Sequence, residues 1–114
     1  MKEAKKQKNQ SGIGKKFIEI VSGKEKVFLN LDEVMHIERD ARKIRIICKE
    51  VEYTTYESLN SLMQRLPENF KRCHTGYIVN LDYVVSVHSH YLLMKNDEKI
   101  SIGRTYKGTL EALR

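Results

Sequence analysis

A short motif occurs twice in the chain, and it constrains the fold more than any other feature of the sequence. Residues 29–39 read LNLDEVMHIER and residues 79–89 read VNLDYVVSVHS, so both copies contain Asn-Leu-Asp-x-Val followed by a strand-like segment. Asn and Asp side chains cap tight turns by accepting backbone N–H groups, and alternation of apolar and polar residues is typical of a strand. Eleven residues can match by chance, but the shared core and the shared strand after it favour a repeated strand–turn–strand unit. We expect two such units to lie side by side, with their loops on a common side.

The other segments after Phe17 also predict short strands. Strand-like patterns recur in KFIEIV, KVFLNL, VMHIERD, KIRIICK and VEYTT, and again in FKRCH, VVSVHSH, YLLMKN and KISI, with turns at SGKE, ARK and NDE. One segment, TYESLNSLMQRL, has apolar residues at helical spacing, and we expect Thr55 to be its N-cap and Pro67 to end it. TYKGTLEALR predicts a short final helix. The expected fold is mainly β, with short antiparallel sheets and one or two short helices.

Charge separates the first residues from the rest of the chain. The 114 residues carry a net charge of +6, but residues 1–16 alone hold six lysines and one acid. Because that segment has too few apolar residues to bury, we expect residues 1–15 to be a flexible basic tail or interdomain linker and residues 16–114 to form one domain. Within the domain, residues 71–114 hold 7 bases and 4 acids, whereas residues 17–70 hold 8 bases and 10 acids. A surface that binds anions is therefore expected in the second half.

No segment predicts export or insertion into a membrane. The chain lacks an apolar run of about 18 residues, and its lysine-rich start is not followed by the apolar core of a secretory signal. The two cysteines, Cys48 and Cys73, are too few for a disulfide framework, and we expect no disulfide between them. A cytoplasmic protein without a membrane partner is expected.

The segment FKRCHTGYIVNLDYV, residues 70–84, collects the most reactive side chains. A catalytic Cys73–His74 pair is one interpretation, but neighbours in a strand point to opposite faces, and no glycine-rich oxyanion turn accompanies them. A metal site is another interpretation, but the chain has neither a CxxC nor an HxxxH pair. We therefore expect no enzyme, metal or cofactor, although Lys71 and Arg72 are expected to lower the pKa of the Cys73 thiol.

Basic loops at strand ends fit anion binding better. The three loops contain Arg42-Lys43, then Lys71-Arg72 before His74-Thr75-Gly76, and finally Gly103-Arg104-Thr105. Arginine can bind a guanine edge with two hydrogen bonds, and lysine, threonine and backbone N–H groups suit phosphates. Any single one of these bases is better explained as a solvated turn residue, so the hypothesis depends on the recurrence of basic loops.

At these residues the chain resembles the LytTR family of bacterial DNA-binding domains. FKRCHTGYIVN at residues 70–80 is similar to the family's central motif, in which an aromatic and a basic residue precede Cys-His, a polar residue, Ser or Gly, and Tyr-Ile-Val-Asn. ISIGRTYK resembles its downstream motif, and LDEVMHIERDARKIRI and YESLNSLMQRLPENF resemble its strand–turn and helix. The resemblance covers about residues 16–114. Two positions depart from the pattern: Thr75, where Arg, Asn or Lys is commoner, and Gly103, where Ser is common.

The resemblance implies a mainly β domain that binds double-stranded DNA as the output domain of a bacterial response regulator. Its loops would enter successive major grooves of a direct-repeat site, and the DNA would bend. The residues implied as contacts are His74 and Thr75 in one loop, Arg104 in a second, Arg42 and Lys43 in the hairpin turn, and Lys71 and Lys107 at phosphates. The resemblance also implies a receiver domain in the same chain and is compatible with a homodimer on direct repeats. The alternative left open is a β-rich protein-interaction or ligand-sensing domain that does not bind DNA.

Overall fold

The structure is a computed structural model, and it describes residues 16–111. The tail expected over residues 1–15 lies outside the described residues. In chain order the strands and helices are β1 (Phe17–Ser22), β2 (Glu25–Asn30), β3 (Val34–Asp40), β4 (Lys43–Cys48), β5 (Glu52–Thr55), α1 (Leu59–Met63), β6 (Phe70–His74), β7 (Tyr77–Asn80), β8 (Val84–Val87), β9 (Tyr91–Met94), β10 (Lys99–Ser101) and α2 (Lys107–Glu111). Short 3-10 turns span Leu31–Glu33, Leu81–Tyr83 and Arg104–Tyr106. The mainly β fold expected from the sequence is confirmed.

The central element is a five-stranded antiparallel sheet with the strand order β5–β4–β3–β7–β6. Its β3–β4 hairpin pairs Asp40 with Lys43, which confirms the turn expected there. Strand β7 joins the other edge of β3, where Glu38 lies opposite Tyr77. The remaining strands form a β1–β2 hairpin and a three-stranded sheet in the order β10–β9–β8. The pairing of β3 with β7 thus brings together two strands that are about forty residues apart in the sequence.

Two apolar cores lie on opposite faces of the central sheet. Successive side chains of a strand point to opposite faces, so Ile78 lies in the first core and Val79 in the second. Strand β6 divides in the same way, with Phe70 in the first core and Cys73 in the second. The first core also includes the inner face of the β1–β2 hairpin and α1, and the second includes the three-stranded sheet and α2. Because β6 and β7 are covered on both faces, their shared turn is held firmly in place.

The repeated motif forms two equivalent turns, as predicted. The Asn30 Oδ1 accepts the N–H of Asp32 at 3.0 Å, and the Asn80 Oδ1 accepts the N–H of Asp82 at 2.9 Å. A 3-10 turn follows each asparagine and leads into the next strand. The Tyr83 hydroxyl donates to the Asp32 carbonyl oxygen, so the two turns lie next to each other.

The helix begins later than the sequence predicted. Thr55 is not the N-cap, because it is buried at the end of β5 and pairs with Ile44. Ser58 caps the helix instead, and its Oγ accepts the N–H of Ser61 at 3.0 Å. The final helix is present at Lys107–Glu111. Neither helix within residues 16–111 is long and apolar enough to cross a membrane.

The central sheet has two chemically different ends. One end holds the β3–β4 turn (residues 41–42) and the β6–β7 turn (residues 75–76), which the hydrogen bond from the Arg39 N–H to the Gly76 carbonyl oxygen joins at 2.9 Å. We call this end, with the adjoining Gly103–Tyr106 segment, the basic end. The opposite end holds the two asparagine-capped turns, Leu31–Glu33 and Leu81–Tyr83, and we call it the capped end.

Candidate nucleic-acid interface

The structure brings the predicted loops together at the basic end. The N–H of Gly103 donates to the carbonyl oxygen of Cys73 at 2.7 Å, which docks the segment after β10 on the end of β6. The β6–β7 turn in turn contacts the β3–β4 turn through Arg39 and Gly76. Three loops that are distant in sequence therefore form one continuous surface.

One ring nitrogen of His74 is occupied by a hydrogen bond within the β6–β7 turn. Its Nδ1 accepts the N–H of Gly76 at 3.0 Å, and its ring packs edge-on against Tyr77 with the centroids 5.4 Å apart. Because Nδ1 accepts, the proton of the neutral imidazole lies on Nε2, an assignment made from the hydrogen bond. The ring is half-buried. A fixed N–H donor of this kind suits an acceptor atom of a base edge or a phosphate.

Arg72 holds the β6–β7 turn in its conformation. Its guanidinium donates to the carbonyl oxygens of His74 at 3.3 Å and of Thr75 at 2.8 Å, and to the Oδ1 of Asn60 at 2.6 Å. It also lies 6.0 Å from the ring centroid of Tyr106. Because these contacts occupy its donors, Arg72 positions the loop and leaves external contacts to its neighbours.

Gly103 permits the close approach of the third loop. A Cβ at this position would lie 3.2 Å from the Tyr106 Cδ2 and 3.4 Å from the His74 Cα. A serine, which is common in the family motif, would need these neighbours to move by a few tenths of an ångström. Glycine at position 103, where serine is common in the family motif, therefore allows the Gly103–Tyr106 segment to pack tightly on His74.

The cations at and beside the basic end make no ion pair with residues 16–110. Arg42 and Arg104 are exposed and Lys43 is half-buried, and none of them lies within 4 Å of a carboxylate oxygen of those residues. By contrast, the Arg45 Nε lies 2.6 Å from the Glu52 Oε2 and the Arg65 Nη2 lies 2.7 Å from the Glu57 Oε1. Unpaired charge at one end attracts anions from solution more strongly than paired charge does.

Of the remaining predicted site residues, one lies at the basic end and two lie outside it. Thr75 is exposed in the β6–β7 turn. Lys107 begins α2, and its Nζ lies 3.0 Å from the Nδ1 of His90 in the β8–β9 turn. Lys71 lies near the start of β6, opposite Val79. At about 3.3 Å per residue it is roughly 10 Å along the strand from His74, so the structure does not bring Lys71 into the basic end.

Cys73 is a core residue, contrary to the expectation of a lowered pKa. Burial raises the pKa of the Cys73 thiol to about 12, and the charge of Arg72 opposes this only in part. The side chain is 0% exposed, and both cysteines are free thiols. A neutral, inaccessible thiol is a poor nucleophile. Among the described residues, no three His, Cys, Asp or Glu side chains are grouped so that they could hold a metal ion.

Sequence reasoning missed two features of this surface. The contact between Arg72 and Asn60 joins β6 to α1, and no local pattern signals such a long-range hydrogen bond. The helical spacing in TYESLNSLMQRL predicts that Tyr56 belongs to the apolar face of the helix, but Tyr56 lies before the helix and is 78% exposed beside the β3–β4 turn. The signal for its position is Ser58, since serine is a better N-cap than threonine.

Fold and surface together define a β-rich domain that presents basic turns at one end of its central sheet. The chain belongs to the LytTr DNA-binding domain family, whose model matches residues 24–114.

Relatives and a solved structure agree with this assignment. The sensory transduction proteins LytT of Bacillus cereus and Bacillus subtilis are 25% identical over 93 residues and 23% identical over 109 residues, respectively. The matches cover 76% and 90% of this chain but 38% and 45% of those proteins, so the chain spans less than half of their length. A solved structure from Bacillus cereus, described as the LytTr DNA-binding domain of a methyl-accepting/DNA response regulator, is 25% identical with a TM-score of 0.75. The match covers 88% of this chain and 97% of that one.

Proposed function

We propose that this chain binds double-stranded DNA sequence-specifically as the output domain of a bacterial transcriptional response regulator. The observation that carries the proposal is the convergence of three turns at one end of the sheet, two of which carry the cations Arg42 and Arg104, exposed and without a carboxylate partner among residues 16–110. Turns that protrude side by side suit successive major grooves of a direct-repeat site, and DNA bending would let the outer turns reach the duplex.

The proposed contacts differ in kind. Arg104 offers a planar pair of donors for a guanine edge, and the Nε2 of His74 offers a single donor. Arg42 and Thr75 adjoin them in the neighbouring turns. The longer amines suit phosphates, and these are Lys43, Lys107 and, where the bent duplex follows β6, Lys71.

The proposed function also involves regions outside the basic end. Residues 16–114 would be the domain, and the lysines of residues 1–15 would add a sequence-independent attraction to DNA. The longer LytT relatives are named sensory transduction proteins, which supports a receiver domain in the same polypeptide and a cytoplasmic location. A homodimer on the direct repeat would double the number of loops on the DNA.

Selection of bound duplexes from a random pool tests the proposal. We expect enrichment of a sequence repeated at about one helical turn, 10–10.5 base pairs. On the selected site Arg104→Ala should cost about 1–3 kcal/mol of binding free energy, and less on random DNA. A pool that shows no enrichment after repeated rounds would overturn sequence-specific binding. Equal losses of binding free energy on the selected site and on random DNA would indicate that Arg104 contacts a phosphate and not a base.

A protein-interaction domain is the rival function, and one observation favours it. Phe17, Val21 and Phe28 are 53%, 52% and 70% exposed on the outer face of the β1–β2 hairpin. Exposed apolar side chains in a group are typical of contacts between proteins. If DNA selection fails, replacement of Phe28 by Ser and a search for lost protein contacts become the appropriate test.

A further inference from the structure

An open cleft adjoins the basic end, between one of the three predicted loops and a segment that belongs to none of them. It has a volume of about 370 Å³ and separates the β3–β4 turn from the loop that joins β5 to α1. Its lining residues are Arg39, Ala41, Arg42, Lys43, Tyr56, Glu57 and Ser58. Arg42 and Lys43 thus belong both to the basic end and to the cleft.

The charge in the cleft is positive. Among residues 16–110, Arg39, Arg42 and Lys43 make no ion pair within 4 Å. The acid of the cleft, Glu57, is occupied: its Oε1 accepts from the Arg65 Nη2 at 2.7 Å and its Oε2 accepts from the Ser61 Oγ at 3.0 Å. An anion that enters the cleft therefore meets three cations that have no ion-pair partner within 4 Å among residues 16–110, and a carboxylate that already has a partner.

Two hydroxyl groups complete the set of donors. Tyr56 is 78% exposed, so its phenol is available to a molecule in the cleft. The Ser58 Oγ accepts the N–H of Ser61, and its own hydrogen remains free to donate. Cations combined with hydroxyl donors suit the oxygens of a phosphodiester.

We propose that this cleft binds a backbone phosphate of DNA, with Tyr56 as a phosphate-binding residue next to Arg42 and Lys43. The proposal rests on the DNA-binding function proposed above and adds a fourth contact element, the β5–α1 loop. A duplex that meets the β3–β4 turn runs past the cleft, because Arg42 and Lys43 line both. The contact would fix the position of the strand without reading its sequence.

Removal of the Tyr56 hydroxyl tests the assignment. In the full chain, Tyr56→Phe should weaken binding to the selected duplex and to a random duplex by the same factor, about 3- to 10-fold. The melting temperature of the Tyr56→Phe variant should equal that of the wild type, because the Tyr56 side chain is 78% exposed. Tyr53→Phe is the matched control: it removes the same hydroxyl from a half-buried tyrosine that packs against the first core, and it should leave affinity unchanged.

A double-mutant cycle locates the shared phosphate. Tyr56→Phe combined with Arg42→Gln should weaken binding by less than the product of the two single effects, because both groups would contact one phosphate. Unchanged affinity of Tyr56→Phe for both duplexes would overturn the inference and leave the proposed function intact. A loss on the selected duplex alone would also overturn it, since Tyr56 would then read a base. Inorganic phosphate that binds at the cleft without any Tyr56 effect on DNA would identify a free-anion site and contradict the proposal. Failure of the wild-type chain to bind any duplex would overturn both proposals.

Discussion

The two ends of the central sheet use their polar side chains in opposite ways. At the capped end, Asn80 is 0% exposed, its Oδ1 accepts from Asp82 and Asn69, and its Nδ2 donates to the Val34 carbonyl oxygen at 2.8 Å. At the basic end, Arg42 and Arg104 are exposed and have no carboxylate within 4 Å among the described residues. Turns of similar length therefore have different roles: one group stabilises the fold, and the other leaves its charges available to a partner.

The capped end also helps to hold the loops of the basic end in position. The antiparallel strands β3 and β7 connect the capped turns with the basic turns, so the hydrogen bonds at one end help to fix the positions of loops at the other. Acidic side chains gather at the capped end, where Asp32, Glu33 and Asp82 follow the two asparagines. The proposed function therefore predicts that a duplex approaches the basic end and is disfavoured by the acidic side chains of the capped end.

Replacement of Asn80 at the capped end should cause the largest loss of stability. Asn80→Ala removes one buried and two partly buried hydrogen bonds and leaves the Val34 carbonyl without its side-chain donor, so the free energy of unfolding should fall by about 3 kcal/mol. Asn30→Ala, the matched change in the other copy of the motif, removes a single exposed bond and should cost about 1 kcal/mol. Urea denaturation of both variants measures the difference. Equal losses would show that the two turns contribute alike.

Replacement of Arg72 should have an intermediate effect on stability and a specific effect on binding. Arg72→Ala frees the carbonyls of His74 and Thr75, and we expect about 1–2 kcal/mol lower stability. Because the loop is then less well fixed, the ratio of affinities for the selected and random duplexes should also fall. Arg72→Lys should not restore it, since an ammonium lacks the planar set of donors. A ratio that stays level in Arg72→Ala would show that the loop needs no such support.

The smallest effect expected concerns His36, which lies in β3 between the two ends. It is 2% exposed, and neither ring nitrogen has a hydrogen-bond partner in the structure. Burial lowers the pKa of His36; Glu98 opposes this shift and Arg45 adds to it. The unfolded chain therefore binds the proton more readily, so this contribution to stability is present above the ordinary pKa of about 6.5 and is lost as pH falls toward the lowered value.

The test of this effect is the pH dependence of the variant His36→Leu. Its stability should vary less with pH around the ordinary histidine pKa than that of the wild type. Burial raises the pKa of the neighbouring Glu38, which acts in the opposite direction at lower pH, so the two chains are compared at each pH. The exposed His90→Gln is the control and should follow the wild-type curve. DNA affinity at neutral pH should be the same for His36→Leu and the wild type, and a loss of affinity would place His36 in contact with the basic end.

The sequence predicted those parts of the fold that depend on local pattern. The strands, the β3–β4 turn and the two asparagine caps follow from residues within a few positions of one another. The helix start was wrong because the pairing of Thr55 with Ile44 depends on β4, which a local N-cap rule does not consider.

The candidate site was predictable in part for the same reason. A motif placed His74 and Arg104 in loops, but their meeting depends on the hydrogen bond from Gly103 to Cys73, thirty residues apart. The adjacent Arg72 suggested an acidic thiol at Cys73, whereas the second core that buries it forms only when β9, β10 and α2 pack on the sheet. Tertiary burial outweighed the neighbouring charge.

Two lysines at opposite ends of β4 test the central claim most directly. Lys43 begins the strand at the basic end, and Lys49 follows it at the capped end. Affinity for a fluorescent random duplex is measured by anisotropy over a salt series for the wild type, Lys43→Ala and Lys49→Ala. The logarithm of the wild-type affinity should fall with the logarithm of salt concentration by roughly 0.9 per phosphate contact, and Lys43→Ala should reduce that slope by about one contact while Lys49→Ala leaves it unchanged. A flat salt response of the wild type, or an equal reduction in the two variants, would contradict the account.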